Sequence, residues 1–174
     1  MNASIYCTAK TAAQAETIID GLKNARFSNN DISVLLPDKR GTKDFAHEHN
    51  TKAPEGATTG GVAGLGVGAA VGWLAGIGAL AIPGVGPLIA AGPIMAALGG
   101  AAVGTATGGV IGGLVGMGIP EFEAKRYDAK IREGNVLISV HTEDSTQRDL
   151  ARDIFKRNNA EDISTGSEAS AKSA

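Results

Sequence analysis

The sequence predicts an α+β fold, a small mixed domain split in its middle by a long apolar insertion. Three observations carry this. The two flanks alternate between period-two and helical apolar patterns. Between Glu55 and Glu121 there is no charged side chain. That same stretch, Gly56 to Pro120, holds 21 of the chain's 25 glycines.

In the first flank, Ile5 and Cys7 alternate with Ser4, Tyr6 and Thr8, which predicts a first strand over Ala3–Thr8. A helix starts at Thr11 or Ala12 and carries Ala15, Ile18, Ile19 and Leu22 on one face. Asn24–Asn30 closes it. Ile32, Val34 and Leu36 alternate again, and Pro37 ends this second strand. Asp38–Gly56 reads as a charged linker, with a single helical turn over Asp44–His49. After the insertion, Pro120 suits the first turn of a helix reaching Glu133, with Glu121 and Glu123 at its positive end. Phe122, Tyr127 and Ile131 are expected to share one of its sides, and Gly134 to stop it. Val136, Ile138 and Val140 predict a third strand. A helix capped by Asp144 or Ser145 carries Leu150, Ala151, Ile154 and Phe155, and Ala160–Ser164 predicts a short fourth strand.

Without the insertion the order is strand, helix, strand, strand, helix, strand, which is the ferredoxin-like βαββαβ motif. The expected organisation follows. Residues 1–37 form the first half of that domain and 38–55 a polar linker. Residues 56–119 form a glycine-rich helical hairpin, and 120–164 an extra helix with the second half. Residues 165–174 form a disordered tail. Tyr6, Leu137 and Leu35 lie on the sheet's second face, to be covered by a second copy or by the Pro120–Glu133 helix.

Inside the insertion, Gly60, Gly64, Gly68, Gly72 and Gly76 fall every fourth residue. Gly100, Gly104, Gly108, Gly112 and Gly116 repeat the row forty residues later. Ala57–Ile82 and Ile94–Gly118 are each long enough, as helices, to span a hydrocarbon layer about 30 Å thick. Pro83, Gly84, Gly86, Pro87, Gly92 and Pro93 mark the connection. In water each interior helical glycine costs about 1 kcal/mol relative to alanine. In lipid the helix is enforced, and a ridge of glycines lets two backbones approach closely. Val62, Leu65, Val67, Val71, Trp73, Leu74, Ile77, Leu80 and Ile82 favour insertion by about 3–5 kcal/mol before glycine offsets part of it. Lys39, Arg40, Lys43 and Lys52 precede the hairpin and Lys125, Arg126, Lys130 and Arg132 follow it. By the positive-inside rule both termini are expected in the cytoplasm, the hairpin in a bacterial inner membrane. Lys125, Arg126, Lys130 and Arg132 are candidate lipid-headgroup contacts. A buried hairpin core in a soluble oligomer or filament is the rival reading.

Other function classes are disfavoured. A net charge of −2 and 4% aromatic residues argue against a nucleic-acid surface. Cys7 is the single cysteine, on the inward face of a strand with no cation to activate it. His47 and His49, with Asp44 and Glu48, read as a solvated linker rather than a metal site. His141, beside Glu143 and Asp144, reads as a surface histidine. Gly64–Gly68 lacks both a preceding strand and a following Lys-Ser/Thr, so nucleotide binding is discarded. No catalytic residue, cofactor or small-molecule substrate is expected.

The run Gly118-Ile119-Pro120-Glu121-Phe122-Glu123-Ala124-Lys125-Arg126-Tyr127 resembles bacterial general-stress or low-temperature-induced proteins. Gly134–His141 and Ala160–Ile163 resemble them too, and the likeness extends over most of residues 3–165. It implies a stress-linked bacterial membrane protein with no active site. The split small domain is also remotely similar to a family of membrane components of quinol:electron-acceptor oxidoreductase, which implies a place in a redox complex as an alternative. The leading expectation is a non-enzymatic membrane-associated stress or envelope protein that self-associates through its glycine rows.

Overall fold

The structure, a computed structural model, describes residues 3–37, 78–82, 86–94 and 109–167. Within them the chain runs β1 (Ala3–Ala9), α1 (Ala12–Asn24), β2 (Ile32–Pro37), β3 (Gly78–Ile82), β4 (Gly86–Ala91), α2 (Val110–Gly116), α3 (Glu121–Arg132), β5 (Val136–Thr142), α4 (Ser145–Arg157) and β6 (Glu161–Ser167). The fold is α+β. The six strands make one sheet in the order β3-β4-β2-β5-β1-β6, and every neighbouring pair is antiparallel.

At its centre β1 pairs with β5 over seven positions, from Ala3↔Thr142 to Ala9↔Val136. Period-two alternation then sends side chains to two faces. Ile5, Cys7, Ile32, Val34, Val136, Ile138 and Val140 face α1 and α4, packing against Ile18, Ile19, Leu22, Ile154 and Phe155. Tyr6, Leu35, Leu88, Ala90 and Leu137 face the other way, under Leu114 of α2 and Ala124, Tyr127 and Ile131 of α3. The second face is therefore covered by the chain's own α3, one of the two outcomes expected for it.

The helices start and stop for local reasons. Thr11 caps α1 by accepting from the Gln14 amide at 3.1 Å, and the Gln14 side chain accepts in turn from the Lys10 amide at 2.8 Å. Asp144 and Gln147 repeat this at the start of α4, at 2.7 Å and, to the Glu143 amide, 3.0 Å. All four helices end on a left-handed residue: Arg26, Gly118, Gly134 and Asn159. In each case the next amide reaches back to close the last turn, Phe27 to Leu22, Ile119 to Leu114, Asn135 to Lys130 and Ala160 to Phe155. Gln14 also donates to the Asn158 and Asn159 carbonyls, both at 2.8 Å, joining the start of α1 to the end of α4.

Several expectations are corrected. Gly78–Ile82 is a strand, not the end of a helix over Ala57–Ile82, and Gly86–Ala91 is a strand where a bare connection was expected. β4 docks on β2 from Val34↔Ala91 to Pro37↔Leu88, and β3 docks on β4. The reason is non-local: β2 would otherwise end the sheet with unpaired backbone groups, and the uncharged run supplies partners. Of the helix expected over Ile94–Gly118, the described residues are Ile94, which is helical, and 109–118, which hold the seven-residue α2. The last strand runs on to Ser167, past the expected end at Ser164, because β1 offers partners as far as Ala3↔Ser167. The turn expected over Asp44–His49 lies outside the described residues, as do His47 and His49.

Gly92 allows the chain to leave β4. Its φ is +78°, and a Cβ there would lie 2.2 Å from the Ile32 carbonyl oxygen and 3.0 Å from the Ser33 Cα. Just beyond it, the Ile94 amide donates to the Ser33 hydroxyl at 3.3 Å. Gly92→Ala is expected to destabilise the fold by roughly 2–4 kcal/mol, through strain and steric clash together. Urea unfolding would show it as a lower midpoint at unchanged slope.

Candidate functional site

The charged and exposed features that remain centre on α3 and the strand beside it. Helical geometry explains which of its residues are hidden. Ala124, Tyr127, Asp128 and Ile131 follow the spacing of one buried face. Phe122 stands roughly 140° from Tyr127 and roughly 180° from Ile131 around the axis. It is 64% exposed, so the expectation that Phe122, Tyr127 and Ile131 share a side is corrected.

The four basic side chains proposed to meet headgroups all lie on α3, and each has an acidic partner. Lys125 pairs with Glu121 at 2.8 Å and Lys130 with Glu133 at 3.5 Å. Arg132 clasps the buried Asp128 carboxylate through Nε at 2.7 Å and Nη2 at 3.4 Å. Arg126 reaches Asp162 on β6 at 3.4 Å. The hydrogen bond from Lys125, with its charge, holds the Glu121 carboxyl below its usual range. Exposed pairs of this kind contribute little stability. They do reduce the charge available to a phosphate.

Asp162 belongs to an irregularity in the β1–β6 ladder, where the register shifts between Tyr6 and Thr8. Its φ of +49° is left-handed, a conformation aspartate tolerates better than most residues. This bulge turns its carbonyl towards α3, where the Tyr127 hydroxyl donates to it at 2.8 Å. With that proton committed, the Ser164 hydroxyl, 2.5 Å away, donates to the phenol oxygen. The Thr8 hydroxyl faces the Glu161 carbonyl and the Asp162 carboxylate, each at 3.3 Å. Lys10 and Glu161 close the rim at 2.6 Å; the hydrogen bond they share lowers the Glu161 pKa and raises that of Lys10. Desolvation pushes the Tyr127 phenol well above its ordinary 10.0, with Glu123 and Asp162 adding to the rise against the Ser164 hydrogen bond. Desolvation likewise raises the Cys7 thiol. Both groups are held protonated, and the cluster acts as a clasp between α3 and β6.

Gly60, Gly64, Gly68, Gly72, Gly76, Gly100, Gly104 and Gly108 lie outside the described residues. Gly112 and Gly116 are in α2. Among the described residues, a Cβ on Gly116 would meet nothing within 4 Å. α2 buries Val110, Gly113 and Leu114, and its buried glycine is one position off the row.

The residues that sequence reasoning missed are at the α2–α3 turn. Val115, 42% exposed, lies before it and Phe122 lies after it. The signal was present in the spacing of Phe122 from Tyr127 and Ile131. Among the described residues, no group of three His, Cys, Asp or Glu side chains is placed to hold a metal ion.

Tyr127→Phe is expected to cost about 1–2 kcal/mol, since it strands the Asp162 carbonyl and the Ser164 hydroxyl. The raised phenol also fixes a pH dependence. Its stabilising contribution is whole below the unfolded pKa near 10 and is lost as pH rises towards the folded value. Wild type should therefore lose stability above about pH 10 more steeply than the phenylalanine variant. Alkaline urea titrations with phenolate absorbance would read both effects. No family model matches this chain, and no curated protein or solved structure is significantly similar to it.

Proposed function

We propose that this is a non-enzymatic, membrane-associated protein that self-associates, a stress or envelope protein as its resemblance implies. Its body reads as a ferredoxin-like frame, β2-β5-β1-β6 with α1 and α4 on one face, extended by the β3–β4 hairpin. The single observation that carries the membrane reading is the stretch from Gly56 to Pro120 without one charged side chain.

The fold narrows how such a stretch meets a bilayer. No helix among the described residues is long and apolar enough to cross a membrane. β2, β3, β4 and α2 belong to one packed body, so each segment between them begins and ends on the same side. The longer uncharged parts outside the described residues, 56–77 and 95–108, would need an even number of crossings. One crossing takes about 20 residues, and neither segment holds two. The transmembrane hairpin of Ala57–Ile82 and Ile94–Gly118 thus gives way to attachment at the interface. The glycine rows at Gly60–Gly76 and Gly100–Gly116 remain the proposed self-association ridges.

A second reading, the soluble homo-oligomer, is favoured by one observation. Leu88, Ala90, Ile94, Val110, Leu114 and Ile119, all from the uncharged stretch, are buried in the protein's own second core. Cell fractionation separates the two. The membrane reading expects a pelleted protein that resists molar salt and is released by detergent. A protein in the soluble fraction, sizing as an oligomer without detergent, would replace it with the second reading. Gly68→Leu with Gly108→Leu should reduce the oligomer mass in either case; an unchanged mass would remove the glycine ridges.

A further inference from the structure

Among the described residues three large hydrophobic side chains are exposed: Val115, Phe122 and Leu150. Two of the three flank one turn, residues 117–120, where the uncharged stretch runs into α3. Beside them Gly116 has open space where a side chain would stand. On α3, Lys125 and Arg126 sit one turn from Phe122, on its own side of the helix.

We propose that Phe122 and Val115 form an apolar wedge that enters the acyl boundary of a lipid bilayer. This rests on the membrane reading above and names the part of the described body that touches lipid. Charge does not draw the surface in. From Glu121 to Glu133, four acidic side chains (Glu121, Glu123, Asp128, Glu133) balance four basic ones (Lys125, Arg126, Lys130, Arg132), and every basic one is paired. Attachment is therefore driven by apolar burial and is insensitive to salt. A second copy is the wrong size of partner. A stable protein interface buries about 800 Å² on each side, whereas a phenylalanine and a valine offer roughly a quarter to a half of that. A bilayer sets no such minimum.

The test is co-flotation of the full chain with vesicles of phosphatidylcholine alone, and of phosphatidylethanolamine with phosphatidylglycerol. Wild type should float with both, at low and high salt. Phe122→Ser with Val115→Ser should weaken binding about ten-fold or more, the loss expected from one large apolar side chain. Phe122→Leu should retain most of it. Leu150→Ser, on α4 against the opposite sheet face, removes a comparable exposed side chain and should change nothing. Equal binding by the double variant and wild type would overturn the wedge while leaving the membrane reading intact. Binding only to anionic vesicles, abolished by salt, would overturn it in favour of headgroup contact. A fall in oligomer mass of the double variant in lipid-free buffer, without loss of flotation, would make the patch a protein interface. Wild type that floats with neither vesicle would overturn the membrane reading itself.

Discussion

The pairing of β1 with β5 is the constraint on which everything else depends. It joins residues more than 130 positions apart at its outer end into a seven-residue antiparallel ladder. Closing a loop of that length costs conformational entropy before any contact returns it. Both strands must therefore supply a great deal, and they do. Ile5, Cys7, Ile138 and Val140 are fully buried on one face, and Tyr6 and Leu137 on the other. The Thr142 hydroxyl donates to the Ala3 carbonyl at 2.6 Å and fastens the end of the ladder.

Once that ladder exists, the uncharged stretch is no longer a free appendage. Residues 38–120, which include it, connect β2, beside β5, to α3, which packs across the second face. The shortest use of its residues is to extend the sheet at β2 and to fill the cover beside α3. β3, β4 and α2 do this. The body thereby takes Leu88, Ala90, Ile94, Val110, Leu114 and Ile119 of the uncharged stretch into its second core. The same packing explains Phe122. Tyr127, held by the bulge at Asp162 and by Ser164, sets the rotation of α3, and that rotation turns Phe122 outward.

The clasp and the wedge differ in how far they could be read in advance. The α3 carboxylate–base pairs at Glu121–Lys125 and Asp128–Arg132 follow from i,i+4 spacing. The Arg126–Asp162 pair and the Tyr127–Asp162 hydrogen bond do not, because they depend on a register shift in a strand 35 residues away. Of the four bases named as headgroup contacts, Lys125, Lys130 and Arg132 pair within three or four residues, a spacing the sequence displays, and Arg126 is the one satisfied across space.

What the amino-acid order determined by itself is what short-range forces decide. Alternation placed β1, β2 and β5. Thr11, Asp144 and Gly134 bounded helices, since caps and left-handed stops are local bonds. The apolar face of α1 followed from helical period, as did Ala151, Ile154 and Phe155 of α4, whereas Leu150 is exposed. Tertiary structure alone decided the state of Gly78–Ile82 and Gly86–Ala91. A run of glycine, alanine and aliphatic residues satisfies either period, and its length favoured a helix. The unpaired edge of β2 broke that tie, because backbone donors and acceptors buried in a sheet must find partners, and only a strand offers them in register.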